Sequence, residues 1–238
     1  MERNFQLQAL VLHVKQIGEN NRLVTFLSIE RGVFQAVLFG GPKSKLRSSV
    51  SPYHFGKLWI YTDSVKNSIK ITDFEPTKYH SEIRENLYKN WCASFCVELV
   101  IKTEGCGENE KCWRLTNAFL DGISVSTEDE CRIAILRFIW RYLDLMGLQS
   151  ECKYCIHCEE GLDDKAVFSV QEDGFICGDC CSAEQNLDEG FFSLSKNSVA
   201  FLQSVTYLSA TQSRNVPLLY SDTNELHDFL FFLINRAT

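Results

Sequence analysis

Six of the chain's eleven cysteines lie within residues 152–181, and their spacing is the strongest constraint on what the chain can fold into. Cys177 and Cys180 form one C-x-x-C pair, and eighteen residues separate it from Cys158, where another C-x-x-C turn ends. Two such turns each present two thiolates to one ion, and this separation is typical of a tetrahedral zinc site. The sequence therefore predicts a small metal-holding finger at about residues 148–185.

Spacing alone leaves the first pair of ligands open. Cys152 with Cys155 fits a C-x-x-C turn as well as Cys155 with Cys158 does, and Cys181 is an extra thiol beside the second pair. A redox motif is disfavoured. In thioredoxin-like proteins the C-x-x-C motif occurs once and lies beside a βαβ pattern, and this chain meets neither condition. The remaining cysteines are scattered and are expected to be small buried hydrophobes: Cys92, Cys96, Cys106, Cys112 and Cys131.

An enzymatic alternative arises at the same cluster. Residues 157–159 read His-Cys-Glu and precede the Cys177–Cys180 pair, which mimics the H-x-E…P-C-x-x-C signature of zinc deaminases. However, Ile176 stands where that signature has Pro, and a catalytic Glu159 in a turn-like segment would lack helical support. A structural site is therefore favoured over a catalytic one, with His157 facing solvent.

The first eighty residues have the two-residue period of β-strands. Phe5, Leu7 and Ala9 alternate with Gln6 and Gln8, and such residues lie on opposite faces of a strand. Five short strands in about eighty residues predict a small closed barrel, and the five-stranded OB-fold commonly binds oligonucleotides. The further strand candidates are residues 22–29, 33–39, 53–62 and 68–74.

After Pro76 the apolar period lengthens to that of a helix. A second helix is predicted at about residues 108–120. A third is predicted to begin at a capping box over residues 127–130 and to stop at Gly147, and a fourth is predicted to begin at Ser195. The residues that repeat every four positions, as one apolar helix face does, are Ile83, Leu87, Trp91, Phe95 and Leu99. A last helix is marked by Leu226, Phe229, Leu230 and Leu233.

These patterns together predict an α+β chain with two domains. A five-stranded OB-fold barrel is expected over residues 1–80, and an α-helical domain over residues 81–238. The cysteine cluster, at about residues 148–185, interrupts the helical pattern and is therefore expected to be an inserted four-cysteine zinc finger.

Charge is distributed unevenly along the chain. The net charge is −7, which argues at first against nucleic acid as a partner. Residues 1–80 nevertheless carry eleven Lys/Arg and six Asp/Glu, a net charge of +5, whereas residues 81–238 carry thirteen and twenty-five, a net charge of −12. The two parts are therefore expected to face different partners.

A basic segment in the barrel region is the candidate nucleic-acid contact. No acidic residue occurs from Arg31 to Thr62. In the stretch 40–49 the cations alternate with other residues, so an extended chain would direct them to one side as a ribbon that tracks a phosphate backbone. The predicted contacts are Arg31, Lys43, Lys45, Arg47 and Lys57.

Four aromatic residues flank this basic segment: Phe39, Tyr53, Phe55 and Trp59. Aromatic side chains stack bases in proteins that bind single strands without sequence preference. The barrel core is the favoured place for Phe39 and Trp59. No base-specific readout is indicated.

Membrane insertion and export are not expected. The opening residues lack the apolar core of a signal peptide, and no stretch approaches the roughly 18 apolar residues that span a bilayer. The expected location is the cytoplasm.

Five segments occur in the order typical of one known family. Residues 9–12, Gly18-Glu19 and residues 23–27 give an apolar strand, a Gly-Glu step and a second strand. Residues 32–47 give a third strand, a Gly-rich turn and a basic Lys-Ser stretch, and residues 137–148 give an arginine-containing helix that closes on Gly-Leu before the cysteines. In this order the chain resembles the RecO family of bacterial recombinational-repair mediators.

The resemblance implies a ligand register for the cysteine cluster. In the family a short spacer follows Gly-Leu, and Cys152 occupies a spacer position that is usually apolar. Ser150 stands where Pro is common, and Glu159 stands where Gly often follows the second Cys. The implied zinc ligands are Cys155, Cys158, Cys177 and Cys180.

The resemblance also implies a function. Members are expected to combine an OB-fold with a zinc-containing helical domain, to lack an active site, and to bind single- and double-stranded DNA. They are expected to anneal complementary strands, to pair with RecR, and to help RecA replace single-strand-binding protein (SSB), whose acidic C-terminal tail they contact. A nucleoid-associated cytoplasmic protein follows from these expectations.

An RNA-binding module of transcription or translation, also built from an OB-fold and a zinc site, is the third hypothesis. Side-by-side binding of DNA and RNA separates it from the repair protein. Metal coordination separates the repair protein from the deaminase, because four thiolate ligands leave no open position for a catalytic water.

Overall fold

A computed structural model describes residues 4–41, 44–63, 65, 68–183, 190–216 and 218–238 of the chain. The chain divides into two units, Met1–Cys131 and Arg132–Thr238. The first contains a closed barrel followed by helices, and the second contains helices and a small sheet. The predicted α+β class is confirmed.

The barrel of the first unit closes through its first strand, β1, which pairs with both β2 and β4. The hydrogen-bonded order is β1-β2-β3-β5-β4, with β3 and β5 parallel and the other neighbours antiparallel. This is the predicted OB-like arrangement. The strands are β1 (Asn4–Ile17), β2 (Asn21–Ser28), β3 (Gly32–Leu38), β4 (Phe55–Asp63) and β5 (Ser68–Lys78).

Alternation along β1 places its apolar residues in the barrel interior, as predicted. Leu7 and Ala9 are buried, while Gln6 and Gln8 between them are not. Burying these side chains provides the main driving force for closing the barrel. The interior residues are Leu7, Ala9, Val11, Val24, Phe26, Ala36, Leu38, Val50, Leu58, Ile60, Ile71 and Phe74.

The segment between β3 and β4 forms a short helix, α1 (Lys45–Ser49), and the extended ribbon predicted here is wrong. Leu46 packs against the barrel interior, and Val50, four residues later, is fully buried in it. Residues at i and i+4 share one face of a helix, so burial of this pair favours a helical turn. Lys45 and Arg47 are therefore about 200° apart around the helix, since each residue turns it by about 100°.

The apolar repeat predicted to form one helix face is interrupted at Asn86. This residue separates α2 (Ser81–Glu85) from α3 (Leu87–Lys102), and its side chain accepts a hydrogen bond from a backbone N–H of the first turn of α3. Because α3 begins anew after Asn86, a different face of the helix is buried from the one that the repeat predicts. Leu87 and Trp91 are therefore 87% and 42% exposed. The residues that α3 buries are Cys92, Ala93, Cys96, Val97, Leu99 and Val100.

A buried histidine ties the barrel to α4 (Asn109–Val125). The Nδ1 atom of His80 lies 2.7 Å from the carbonyl oxygen of Tyr53, and its Nε2 atom lies 2.8 Å from Asp121 Oδ1. Lys78 donates to the same carboxylate at 2.6 Å. Burial alone would raise the pKa of Asp121, but the hydrogen bonds from Lys78 and His80 hold it below its usual value.

Asp121→Ala is expected to lower the free energy of unfolding by about 1–3 kcal/mol, because it leaves buried His80 without one partner. A carboxyl whose pKa is lowered on folding contributes stability above its unfolded pKa of about 3.9, and that contribution disappears as the pH falls through the lower folded value. The difference in free energy of unfolding between the variant and the wild type should therefore become smaller below about pH 4. Denaturant unfolding at neutral and acidic pH measures both effects, with exposed Glu85→Ala as the control; equal stability at neutral pH would contradict the expectation.

The second unit begins within α5 (Glu128–Leu145), whose predicted ends are confirmed. Glu130 accepts a hydrogen bond from the backbone N–H of Thr127 at 2.7 Å, and the Thr127 hydroxyl accepts from the N–H of Glu130 at 3.3 Å. At the other end Gly147 has a φ of +70°, a conformation that costs little only for glycine. The capping box and the glycine stop therefore fix this helix.

A three-stranded antiparallel sheet, of order β7-β6-β8, carries the cysteine region. The predicted hairpin is present as β6 (Ala166–Ser169) and β7 (Gly174–Cys177), and β8 (Phe191–Leu194) adds a strand beyond the predicted end of the finger. The other helices of this unit are α6 (Gly178–Ala183), α7 (Lys196–Tyr207), which Ser195 caps as predicted, α8 (Ala210–Ser213) and α9 (Tyr220–Ala237). Among the described residues, no helix is long and apolar enough to span a membrane.

Phe229 of α9 lies at the centre of an aromatic core beneath this sheet. Its ring centroid lies 5.0 Å from that of Phe168, 5.9 Å from Phe175, 5.6 Å from Phe192 and 6.5 Å from Trp140. Edge-to-face and tilted pairs at such distances add to the free energy of burial. The finger strands, α5 and α9 therefore share one core.

Candidate metal centre and nucleic-acid interface

Four cysteine sulfur atoms converge where the two C-x-x-C turns meet. The ligand atoms of Cys155, Cys158, Cys177 and Cys180 all lie within 4.8 Å of one another, and the Cys158 and Cys177 sulfurs are 3.7 Å apart. Four sulfurs held about 2.3 Å from a central zinc ion would be about 3.8 Å apart. The cluster therefore has the size and the donor set of a tetrahedral metal site.

The first turn reaches its geometry through a left-handed residue. The N–H of Glu159 donates to the carbonyl oxygen of Cys155 at 2.9 Å, the N–H of Cys155 donates to the carbonyl of Glu160 at 2.9 Å, and Glu159 has a φ of +61°. This conformation costs a non-glycine residue about 1–2 kcal/mol, which explains why glycine suits the position. The glutamate therefore leaves the turn intact.

Close backbone approach holds this turn against the hairpin. The N–H of Ile156 donates to the carbonyl oxygen of Phe175 at 2.9 Å. A Cβ atom on Gly174 would lie only 2.5 Å from Ile156 Cγ2, so no larger residue fits there without movement. The packing of Ile156 on Gly174 brings the two pairs of thiols together.

The electrostatics of the cluster suit a cation. Burial opposes ionisation of Cys155, but backbone N–H groups of Cys177, Cys158 and His157 donate to its sulfur and lower its pKa to about 6. Hydrogen bonds among the thiols raise the pKa of Cys180, because its neighbours' sulfurs disfavour a further negative charge. A divalent ion would remove that repulsion and allow all four thiolates to form.

The two extra cysteines lie outside this group of four. Cys152 is 1% exposed, and its sulfur lies 3.7 Å from the Thr206 hydroxyl under α7. Burial raises the pKa of Cys152 to about 11, so it stays a thiol. Cys181 is buried as well. Among the scattered cysteines, four are buried as predicted, and Cys106 is partly exposed.

Among the described residues, His157 is not one of the groups that converge on the sulfur cluster. Its Nε2 atom lies 2.9 Å from a carboxylate oxygen of Glu172, in a pair at the protein surface. A deaminase site needs that histidine as a ligand and needs an open coordination position. The four converging sulfurs satisfy neither requirement.

The predicted basic residues do not form one surface. Arg31 lies in the turn after β2, with its guanidinium carbon 5.0 Å from the ring centroid of Phe5. Lys57 is exposed in the middle of β4, with Glu75 directly across the strand pair. Lys43 lies outside the described residues. Of the five predicted contacts, the structure places Lys45 and Arg47 on one short helix, α1, on different sides of it.

Arg47 instead meets Arg22, a cation that sequence reasoning missed. Arg22 donates to the Arg47 carbonyl oxygen at 3.1 Å, and Arg47 donates to Gln16 Oε1 at 2.9 Å. Burial and the positive charge of Arg47 lower the pKa of Arg22. Within the part of the chain that the structure describes, neither guanidinium has a carboxylate partner, and Arg47 Nη1 is buried without a hydrogen bond.

Aromatic rings continue this surface. Phe39 is 51% exposed, against the core position favoured from the sequence, because alternation turns Leu38 inward and Phe39 outward. Lys70 Nζ lies 5.6 Å from the ring centroid of Phe39 and 5.9 Å from that of Tyr61. Trp59, also favoured as core, is partly buried.

Strand pairing places these residues near the same end of the barrel. Arg22 pairs with Leu38, the residue before Phe39, and Val37 pairs with Lys70. The β1–β2 turn, which helps bind oligonucleotides in other OB-folds, lies beside it, since Arg47 donates to Gln16 near the end of β1. We call this surface the basic–aromatic patch and define it as Arg22, Phe39, Lys45, Arg47, Tyr61 and Lys70.

Comparison with known proteins covers nearly the whole chain. A family model described as Recombination protein O N terminal matches residues 1–80, and one described as Recombination protein O C terminal matches residues 84–236. DNA repair protein RecO of Bacillus velezensis is 30% identical over 176 residues, which is 73% of this chain and 67% of that protein. DNA repair protein RecO of Desulforamulus reducens is 28% identical over 188 residues, 77% of this chain and 71% of that protein.

The chain thus combines an OB-like barrel with helices that carry a four-cysteine candidate metal site, and both parts match models of one DNA-repair family. Since both family models match, the chain belongs to the RecO family, and its role lies in DNA repair.

Proposed function

We propose that this chain is a non-catalytic recombination mediator that binds DNA, anneals complementary strands, and with RecR helps RecA load onto SSB-coated single strands. The observation that carries the proposal is the basic–aromatic patch, whose paired arginines Arg22 and Arg47 have no carboxylate partner among the described residues. A protein of this kind works in the cytoplasm on the nucleoid, and it also contacts the acidic C-terminal tail of SSB.

The metal in this proposal is one structural zinc ion per chain. Four thiolates in a cluster of this size match zinc, which takes tetrahedral sulfur ligands and leaves no position for a substrate water when all four are protein groups. The ion supplies folding free energy to the finger and takes no part in chemistry.

The patch suits single-stranded nucleic acid in two respects. Arg22 is partly desolvated and is repelled by Arg47, so a phosphate oxygen would relieve both costs. Its exposed ring, Phe39, lies beside the cation of Lys70, and a base can stack on such a ring without sequence preference. The proposed role for Arg31 and Lys57 is weaker, since Arg31 lies over the Phe5 ring and Lys57 has the acidic Glu75 opposite it in the strand register.

Replacing Lys45 and Lys70 together by Gln is expected to weaken single-strand binding for all sequences alike. Each lost phosphate contact lowers the log–log slope of affinity against salt by about 0.7, so the double variant should lose about 1.4. The measurement is a salt titration with a labelled oligonucleotide. Its matched control is Lys102→Gln with Lys111→Gln, which removes two exposed charges from helices of the same unit; an unchanged slope in the folded patch variant would contradict the proposal.

Three further assays separate the hypotheses of function. Annealing of SSB-coated complementary strands, with and without RecR, tests the mediator role, and stimulation by RecR is the expected result. Side-by-side titration with DNA and RNA of one sequence tests the RNA-binding module, which requires preference for RNA. Release of ammonia from cytosine or adenine substrates would support the deaminase.

A further inference from the structure

Three arginines gather in the second unit around one serine. Arg137 Nη2 donates to the carbonyl oxygen of Ser213 at 3.2 Å, and Arg141 Nη2 lies 3.5 Å from the Ser213 hydroxyl. Arg137 and Arg141 are four residues apart on α5 and therefore lie on the same helix face. Arg214 follows the shared serine directly and is exposed. We call these three side chains the arginine cluster.

The innermost member is held in place but lacks a polar partner at one nitrogen. The guanidinium carbon of Arg137 lies 5.4 Å from the ring centroid of Phe201, which is fully buried, and its Nε atom is buried without a hydrogen bond. Burial, followed by the charges of Arg214 and Arg141, lowers the pKa of Arg137 to about 10. Burial and the charge of Arg214 lower the pKa of Arg141 as well.

The arginine cluster lacks carboxylate partners among the described residues, although this part of the chain is rich in acidic residues. Residues 132–238 contain eight Lys/Arg and fifteen Asp/Glu, so carboxylates are plentiful. Arg236, for comparison, pairs with Asp173 at 2.7 Å. Over the described ranges of this unit, none of the three clustered arginines forms an ion pair. Desolvated charges in proteins are normally paired, so Arg137 and Arg141, partly buried beside the exposed Arg214 and without an ion pair among the described residues, indicate that the counter-charge comes from a ligand.

We propose that the arginine cluster is a second nucleic-acid site, which binds a phosphodiester group of a single strand. Arg141 and Arg214 contact the phosphate oxygens, and Arg137, fixed on Ser213 and Phe201, positions the pair through its charge and packing. The proposal rests on the proposed DNA-binding function and adds a contact outside the barrel. It assigns the cluster to backbone phosphates because the guanidinium fork matches phosphate oxygens in a bidentate manner.

An acidic peptide is the competing ligand. Its terminal carboxylate would suit one guanidinium, but peptide side chains would also need an apolar wall, and the ring beside the cluster, Phe201, is already covered. A phosphodiester needs no such wall. The observations therefore favour the nucleic-acid strand.

The test compares Arg141→Gln with Arg214→Gln, made together, against wild type in the full-length metal-loaded protein. Arg137 is left unchanged, because its removal would expose Phe201. We expect affinity for an oligothymidylate to fall on the order of tenfold at about 0.15 M salt, with a salt slope lower by about 1.4. The matched control is Lys165→Gln with Lys196→Gln, which removes two exposed charges from the same unit and should leave both quantities unchanged.

Each outcome bears on the proposal separately. Loss of DNA affinity in the cluster variant alone, with a wild-type melting temperature, supports it. Wild-type DNA binding by the cluster variant overturns it, and lost binding of an Asp-rich peptide with a free C-terminus would then assign the cluster to that peptide. If the unmutated protein binds no DNA, the proposed function fails as well. If the cluster variant binds DNA normally while the Lys45/Lys70 variant is defective, only the cluster proposal is overturned and the proposed function stands.

Discussion

Cys177→Ser is expected to release the metal and to unfold the finger. The Cys177 sulfur lies 3.7 Å from that of Cys158, and the Cys177 N–H donates to the Cys155 sulfur at 3.3 Å. Structural zinc sites of this type bind with about 10–16 kcal/mol of apparent free energy at neutral pH, and that free energy stabilises the folded finger. The loss should therefore exceed that from any other single substitution considered for this chain.

Metal content of protein purified without chelators measures the effect, together with limited proteolysis of residues 152–181. The matched controls are Cys152→Ser and Cys181→Ser, which change neighbouring thiols outside the group of four and should keep one metal ion per chain. Full metal retention in Cys177→Ser, or loss of metal in Cys181→Ser, would show that the ligand set is wrong.

Phe229→Ala is expected to lower the free energy of unfolding of the second unit by about 3–5 kcal/mol, as large-to-small changes of buried aromatic residues do. Four rings surround this side chain, from the finger strands and α5, so no single element can move to fill the cavity. The metal should stay bound, because Phe229 lies on α9 and the substitution changes none of the four sulfur ligands.

Thermal and denaturant unfolding measure this change. Phe231→Ala, on the same helix but only partly buried, is the control and should cost clearly less. Phe229→Leu should recover part of the loss, because it retains most of the apolar volume. A stability change below about 1 kcal/mol for Phe229→Ala would mean that the sheet does not depend on this core.

Local signals predict the elements that depend on neighbouring residues alone. Thr127 and Glu130 form the capping box, Ser195 caps α7, and Gly147 ends α5, because each needs only residues within one turn. The alternation of β1 and the hairpin of the finger are predictable for the same reason. The spacing of the C-x-x-C turns predicts a cluster without choosing between Cys152 and Cys158.

The errors share a different physical cause. Asn86 restarts a helix and rotates its buried face, which leaves Leu87 exposed although the four-residue repeat continues through it. The basic segment is helical because Leu46 and Val50 reach the barrel interior, a tertiary contact that charge spacing does not reveal. Arg22 and Arg47 are 25 residues apart, so only the folded barrel brings them together.

With the proposed ion bound, the aromatic core around Phe229 would also link metal supply to the lifetime of the second unit. Strands β6, β7 and β8 cover one side of that core, and the metal site lies where β7 meets the first C-x-x-C turn. A chain made during metal starvation would therefore leave an apolar, half-formed interior open to chaperones and proteases. Cells short of the ion should accumulate less of this protein, and its abundance should follow metal availability without any dedicated sensor.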